Sequence, residues 1–285
     1  MNILKTYKIY IGGAFPRTES GRYYPIADSQ GNILANVCLS SRKDVRNAVV
    51  AARKAFGGWS EKTAFNRGQI LYRIAEMLDG RKGQFIDELI LQGISKSKAE
   101  KEVQQSVDRL VYYAGWADKY QQIASSVNPV SSSHFNFSAL EPMGVIGIIA
   151  PQENSLLGLI SLVIPAICGG NTVVVAASES QPLCAVTFAE VLHSSDVSGG
   201  VVNILTGKIA ELAPALAAHM DVNGLVSSGL GELQKPLALS CVENLKRRFT
   251  YMNSDQQGLN FVTDLQEVKT TWHPIESIGG ATSSY

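Results

Sequence analysis

The chain predicts an α/β fold built on a parallel sheet, and three features carry that expectation. From Met143 onward, short apolar runs alternate with helical segments in repeated βα order. The runs, Val145-Ile146-Gly147-Ile148-Ile149-Ala150 and Thr172-Val173-Val174-Val175 among them, are apolar on both faces, so the sheet must be covered on both sides. Ahead of them, residues 40–123 hold amphipathic helices, each with one apolar face to contribute.

In chain order, residues 8–35 mix apolar residues with Gly, Pro and Ser, the pattern of short strands and turns. Ser40-Ser41 offers an N-cap to a helix with the stripe Val45, Ala48, Val49, Ala52 and Phe56, which is expected to stop at Gly57-Gly58. A second helix covers residues 64–78, with Ile70, Leu71, Ile74, Ala75 and Leu78 on one face, and a third covers residues 85–92. A longer helix, residues 98–123, turns Val103, Val107, Leu110, Val111 and Ala114 inward, and the charge run Lys96 to Glu102 reads as its solvated start. Residues 127–140 alternate on either side of Ser131-Ser132-Ser133, as an exposed hairpin does. Strands are then expected at 145–150, 172–175, 201–205 and 224–227, and helices at 156–168, 182–192, 210–219 and 231–239. Such a sheet binds ligands outside the carboxyl ends of its strands. Residues 265–275 alternate as one more strand.

Composition narrows the function. Net charge is zero, from 25 basic and 25 acidic residues with no long run of either sign, which excludes a general electrostatic grip on nucleic acid or a membrane surface. The four cysteines, Cys38, Cys168, Cys184 and Cys241, are far apart and form no CxxC pair. Neither a disulfide framework nor a zinc site is expected, and a reduced intracellular setting fits. The stretch at Met1 lacks the apolar core of a signal peptide, and the longest apolar run, residues 156–168, is too short to span a bilayer. The expectation is a cytoplasmic protein.

The motifs of the βα region come in a set order. Glu141-Pro142-Met143-Gly144-Val145-Ile146-Gly147 is followed by Ala150-Pro151, Pro165-Ala166, Gly170-Asn171-Thr172-Val173-Val174 and Gly200-Val201-Val202-Asn203-Ile204-Leu205-Thr206-Gly207. Tyr7-Lys8-Ile9-Tyr10-Ile11-Gly12-Gly13 precedes them and Asn244-Leu245-Lys246-Arg247 follows. This order resembles the aldehyde dehydrogenase superfamily and, more narrowly, the non-catalytic C-terminal half of family 16 aldehyde dehydrogenases. The resemblance implies a Rossmann-like cofactor domain with an oligomerisation β-flap. In active members a cysteine thiolate attacks the aldehyde, an amide side chain and a backbone N–H hold the oxyanion, and hydride passes to a nicotinamide cofactor.

This chain departs from that pattern at several functional positions, although Glu179 of the ribose contacts survives. The family's Pro-Trp-Asn reads Pro151-Gln152-Glu153-Asn154, which puts Glu153 at the oxyanion-donor position and Asn154 one residue late; a carboxylate there repels an oxyanion. The family's Lys-Pro-Ser-Glu, which holds the adenosine ribose, reads Ala176-Ala177-Ser178-Glu179, and the Gly-Ser pair near the pyrophosphate reads Gly229-Leu230. Each lost contact is worth about 1–3 kcal/mol, enough for two of them to move a micromolar cofactor site towards millimolar. The resemblance therefore implies a degenerate cofactor set, Ile149, Pro151, Ser178, Glu179, Gly207 and Gly229, with no catalytic residue and no metal ligand. No cofactor is expected beyond weak NAD binding. The general-base motif aligns with Tyr251-Met252-Asn253-Ser254, where a phenol replaces the carboxylate. No Gly-Gln-x-Cys follows, and no cysteine lies beyond Cys241.

The implied organisation is residues 1–126 as the N-terminal strands and helices of the cofactor domain, 127–142 as the oligomerisation hairpin, 143–253 as Rossmann-like βα units, and 254–285 as a tail bearing the oligomerisation strand 265–275. The catalytic domain is expected to be absent by internal deletion, since the C-terminal strand returns. The implied function is a non-catalytic subunit that docks its flap onto a full-length aldehyde dehydrogenase. The alternatives are an NAD(P)-dependent oxidoreductase completed by a partner's catalytic domain, a nucleotide-binding module, and a homodimer.

Overall fold

The computed structural model describes residues 4–28, 30–251 and 256–275. Met252, Asn253 and Ser254 of the general-base alignment, and the polar end at Gly279 to Ser284, lie outside the described residues.

Strands β1 (Thr6–Tyr7), β2 (Tyr23–Ala27) and β3 (Ile33–Cys38) form a small sheet in the order β1-β3-β2. Helices α1 (Arg42–Ser60), α2 (Ala64–Gly80), α3 (Lys82–Leu91), α4 (Lys96–Trp116) and α5 (Tyr120–Ala124) come next. The first begins with a capping box in which Asp44 Oδ2 accepts from the Ser41 backbone N–H at 2.8 Å. It does not stop at Gly57-Gly58. Trp59 is fully buried and its Nε1–H donates to the Ile167 carbonyl at 2.9 Å, and burying an indole outweighs the roughly 1 kcal/mol that each helical glycine costs. The long helix expected to reach residue 123 instead breaks after Trp116, where Lys119 turns back to hydrogen-bond the Gly115 carbonyl.

The hairpin strands β4 (Ser126–Asn128) and β5 (His134–Pro142) lead into β6 (Val145–Ile149), α6 (Ser155–Cys168), β7 (Thr172–Ala176), α7 (Leu183–His193), β8 (Val202–Leu205), α8 (Ile209–Ala218) and β9 (Gly224–Ser227). The helix expected from residue 231 opens as a single tight turn, Gly231–Leu233, and becomes regular only as α9 (Gln234–Val242). β10 (Arg247–Thr250), α10 (Asn260–Thr263) and β11 (Gln266–Pro274) complete the described chain.

β6 to β10, without β11, make one parallel sheet in the order β10-β9-β6-β7-β8. Its two faces follow the strand period of two. Ile146, Ile148, Val173 and Val175 join one core with α2, α4, α6 and α7, while Val145, Ile149, Val174 and Ala176 join another with α1, α8 and α9. Chain order reverses between β6 and β9, so the crevice for a ligand is expected outside the ends of those two strands.

β11 pairs antiparallel with β5 from Gln266 opposite Pro142 to Pro274 opposite His134, and β4 pairs with the other side of β5. This flap has the order β11-β5-β4, and among the described residues the outer edge of β11 is unpaired. The link from β10 to β11 is anchored rather than loose. Phe261, Val262 and Leu265 are buried in the core beside α6, and the Asn171 Nδ2–H donates to the Leu265 carbonyl at 3.0 Å. Among the described residues no helix is long and apolar enough to cross a membrane, and no cluster of His, Cys, Asp or Glu could hold a metal ion.

Candidate functional site

The carboxyl ends of β6, β7 and β8 bring most of the sequence-predicted residues together. Ile149 and Pro151 are buried and form the floor at the end of β6. Gln152, which follows them, lays its side chain across to β7: its Oε1 accepts the Glu179 backbone N–H at 2.8 Å, and its Nε2–H donates to the Ala150 carbonyl at 3.3 Å. Ser178 is 2% exposed, and its Oγ accepts the Gln181 backbone N–H at 3.1 Å. The amide of Gln152 thus bridges two strand ends in the place where the resemblance puts an indole.

Glu179 is occupied on both oxygens. Oε1 pairs with Lys208 Nζ at 2.8 Å, and Oε2 accepts the Ile209 backbone N–H at 2.9 Å, capping the start of α8. Burial works to raise this carboxyl, but the Lys208 hydrogen bond, the Ile209 N–H and the Lys208 charge outweigh it and hold the group below the usual range. Gly207, with φ of 152°, lets the chain turn from β8 into that cap while its Cα passes close to Ser40. Gly229 lies apart, at the end of β9 on the far side of β6, with φ of 63° and open space where a Cβ would sit. Leu230 beside it packs half-buried against the core under α9.

Three contributors escaped the sequence reading. Glu102, placed there in a solvated charge run, is 6% exposed and accepts the Leu156 and Leu157 N–H groups at 2.9 and 3.1 Å through one oxygen. A buried carboxylate needs such donors, and the free N–H groups at the start of α6 provide them. Ser227, 1% exposed at the end of β9, has an Oγ without a hydrogen-bond partner among the described residues, an orphan polar atom on the crevice floor. Lys208 is the third. Neither Glu102 nor Lys208 carries a motif; only the position of Glu102 next to the inward-facing Val103 hinted at burial. Glu153 and Asn154 are exposed, and with Lys98, Lys101 and Gln105 they line a cavity of about 540 Å³ between α4 and the start of α6.

Burial raises the Glu102 carboxyl, and the two backbone N–H groups only partly offset it. A folded-state pKa above the unfolded one gives a stability contribution present at acid pH and lost as pH rises through the folded value. Glu102→Gln keeps an acceptor and removes that titration. Its melting temperature, compared with wild type from pH 4 to 7, is expected to gain on wild type as pH rises. A difference independent of pH would show that Glu102 does not titrate in this range.

No thiol or phenol here is set up as a nucleophile or base. All four cysteines are buried. Burial pushes the Cys168 thiol up to about 12 and raises Cys184 and Cys241 as well. Tyr251, at the general-base position, is raised by burial and by Asp264, to whose Oδ2 its hydroxyl donates at 3.0 Å.

The sequence matches the family model for the aldehyde dehydrogenase family over residues 16–253. It is 32% identical over 248 residues to the cytosolic 10-formyltetrahydrofolate dehydrogenase of Mus musculus, covering 85% of this chain and 28% of that protein. It is 34% identical to the mitochondrial benzaldehyde dehydrogenase of Antirrhinum majus, covering 84% of this chain and 45% of that one. The NAD+ complex of an aldehyde dehydrogenase from Bacillus cereus superposes with a TM-score of 0.82 at 27% identity, over 86% of this chain and 50% of the other. The chain therefore spans half or less of the length of these relatives. On that extent of match, this chain belongs to the aldehyde dehydrogenase family.

Proposed function

We propose that this chain is a non-catalytic aldehyde dehydrogenase-like subunit that works by association, docking the hairpin 127–142 and strand 265–275 onto a full-length aldehyde dehydrogenase as a structural or regulatory partner. The observation that carries the reading is that Glu179, the one charged group retained from the family's ribose contacts, has both oxygens spent inside the chain. With Ala176 and Leu230 at the neighbouring positions, the residues present do not fit a tightly held dinucleotide. Tyr251 and the buried thiols offer neither a base nor a nucleophile. The edge of β11 that is unpaired among the described residues, flanked by exposed Val268 and Trp272, supports the docking half of the proposal, since such an edge is a template for another strand.

The test pairs two measurements. The purified chain with NAD+ and a panel of aldehydes is expected to form no NADH. Affinity purification from native cells is expected to recover a stoichiometric full-length aldehyde dehydrogenase, lost when Val268 and Trp272 are both replaced by Asp. Aldehyde-dependent NADH formation by the chain alone, or recovery of the chain without that partner, overturns the reading.

A second reading is favoured by the orphan Ser227 Oγ and the open space at Gly229, which leave room and one polar atom for a nucleotide at the end of β9. Here the chain is a nucleotide-binding module, or the cofactor half of an NAD(P)-dependent oxidoreductase completed by a partner's catalytic domain. Titration calorimetry with NAD+ separates the two: micromolar binding supports this reading, and silence to about millimolar supports the first.

A further inference from the structure

Helix α4 turns one face, Lys98, Lys101, Glu102 and Gln105, into the cavity of about 540 Å³ that it shares with the start of α6. The charges on that face do not cancel within the chain. Glu102 is 6% exposed and spends one oxygen on the Leu156 and Leu157 N–H groups, while its other oxygen makes no hydrogen bond among the described residues. The ion pair of this stretch joins Lys96 to Glu100 at 3.9 Å, and among the described residues neither Lys98 nor Lys101 forms one. Lys98 lies one turn ahead of Glu102, but a lysine preceding a glutamate is the weaker order for a helical pair. Gln181, just before α7, lines the same cavity and has a side-chain oxygen with no partner among the described residues. Ile94 and Leu157 supply the apolar part of the wall.

The cavity thus holds acceptors that lack donors and ammonium groups that lack counter-ions. A carboxylate oxygen facing open volume repels an anion, and two ammonium groups beside it repel a cation. Lys98 and Lys101 balance Glu102 and the exposed Glu153, so the lining is neutral overall and suits a ligand that is neutral overall. A molecule carrying both charges satisfies both sets of groups. Its ammonium donates to Glu102 and Gln181, its carboxylate accepts from Lys98 and Lys101, and an aliphatic link lies on Ile94 and Leu157. One helical turn separates Lys98 from Glu102 by about 6 Å along the axis, close to the reach of γ-aminobutyrate from nitrogen to carboxyl. We propose that this cavity binds a small ω-amino acid. The proposal depends neither on the docking partner of the flap nor on a nucleotide in the crevice.

Titration calorimetry of the full chain, with no NAD+ added, is expected to give γ-aminobutyrate a Kd below about 1 mM. Butyrate, butylamine and the shorter zwitterion glycine are each expected to bind at least about tenfold more weakly. Replacing both exposed lysines, Lys98→Gln with Lys101→Gln, should weaken γ-aminobutyrate at least about tenfold and leave the thermal melt in place. Glu102→Gln keeps an acceptor for the start of α6 and should weaken the ligand by a similar factor. A Kd for γ-aminobutyrate above about 1 mM overturns the proposal, and so does butyrate or butylamine binding equally well. Binding that the lysine exchange leaves unchanged also overturns it. If Glu102→Gln unfolds the chain, the lysine exchange decides alone: weakened binding upholds the site and unchanged binding removes it.

Discussion

Lys246→Met is expected to lower the stability of the fold by about 3 kcal/mol, read from urea denaturation, although no ligand or catalytic group is touched. The Lys246 side chain runs beneath the end of α8, where Nζ donates to the carbonyls of Leu216, Ala217 and His219 at 3.1, 2.5 and 2.9 Å. The last carbonyls of a helix have no partner within the helix, and a lysine placed there satisfies three of them at once. Methionine fills similar volume but removes all three bonds, leaving the Ala217 carbonyl without the ammonium and those of Leu216 and His219 with only the backbone N–H groups of His219 and Val222. Burial lowers the ammonium to about 8, so it remains charged at neutral pH. Its folded-state pKa thus lies below the unfolded value of about 10.5, and the titration-linked contribution is full above that value and lost as pH falls through about 8. The stability gap between wild type and Lys246→Met should therefore widen from pH 8 to 10. A gap that is flat or narrows over that range would show that the amine keeps its proton throughout, held by the three carbonyls.

How much of this was legible in the sequence depends on where each residue finds its partner. The parallel sheet was plain because its strands are apolar on both faces, and the flap because β5 and β11 alternate. Helix ends were less legible where tertiary burial overrode a local signal, as Trp59 carries α1 past Gly57-Gly58. The polar contacts were hidden for a different reason. Lys246 and Glu102 bond backbone groups of helices that are remote in sequence, and nothing in their neighbourhoods announces that a helix end will lie there. At the crevice, the motif comparison located Ser178, Glu179 and Gly229 and noticed the missing lysine at Ala176. It could not foresee that Lys208, arriving from the next strand, pairs with Glu179. Such a pair both stabilises the fold and withdraws the carboxylate from a ligand, which is why the positions read as degenerate while the packing remains intact.

The second large effect is expected at Arg109, and it bears on how the flap is held. Arg109 is 5% exposed on α4; its Nη1 donates to Ser161 Oγ and to the Gln256 carbonyl, and its Nε–H to Gln257 Oε1 at 3.1 Å. One turn on, the Tyr113 hydroxyl donates to the Gly258 carbonyl at 3.3 Å. These bonds fix residues 256–258, the approach to α10, whose Phe261 stacks on Tyr251 with ring centroids 4.2 Å apart. Arg109→Met removes charge-assisted donors from a buried site and is expected to cost about 3 kcal/mol. The loss should not be uniform. Hydrogen exchange is expected to rise first in α10 and β11, because β6 to β9 keep their own pairing, and partner docking through β11 should weaken with it. Trp272→Ser offers the contrast, since an exposed flap residue should affect docking with little change in stability. Should Arg109→Met leave exchange in β11 unchanged, the pairing with β5 and the buried anchors Phe261, Val262 and Leu265 hold the flap without it, and the link between α4 and the docking edge fails.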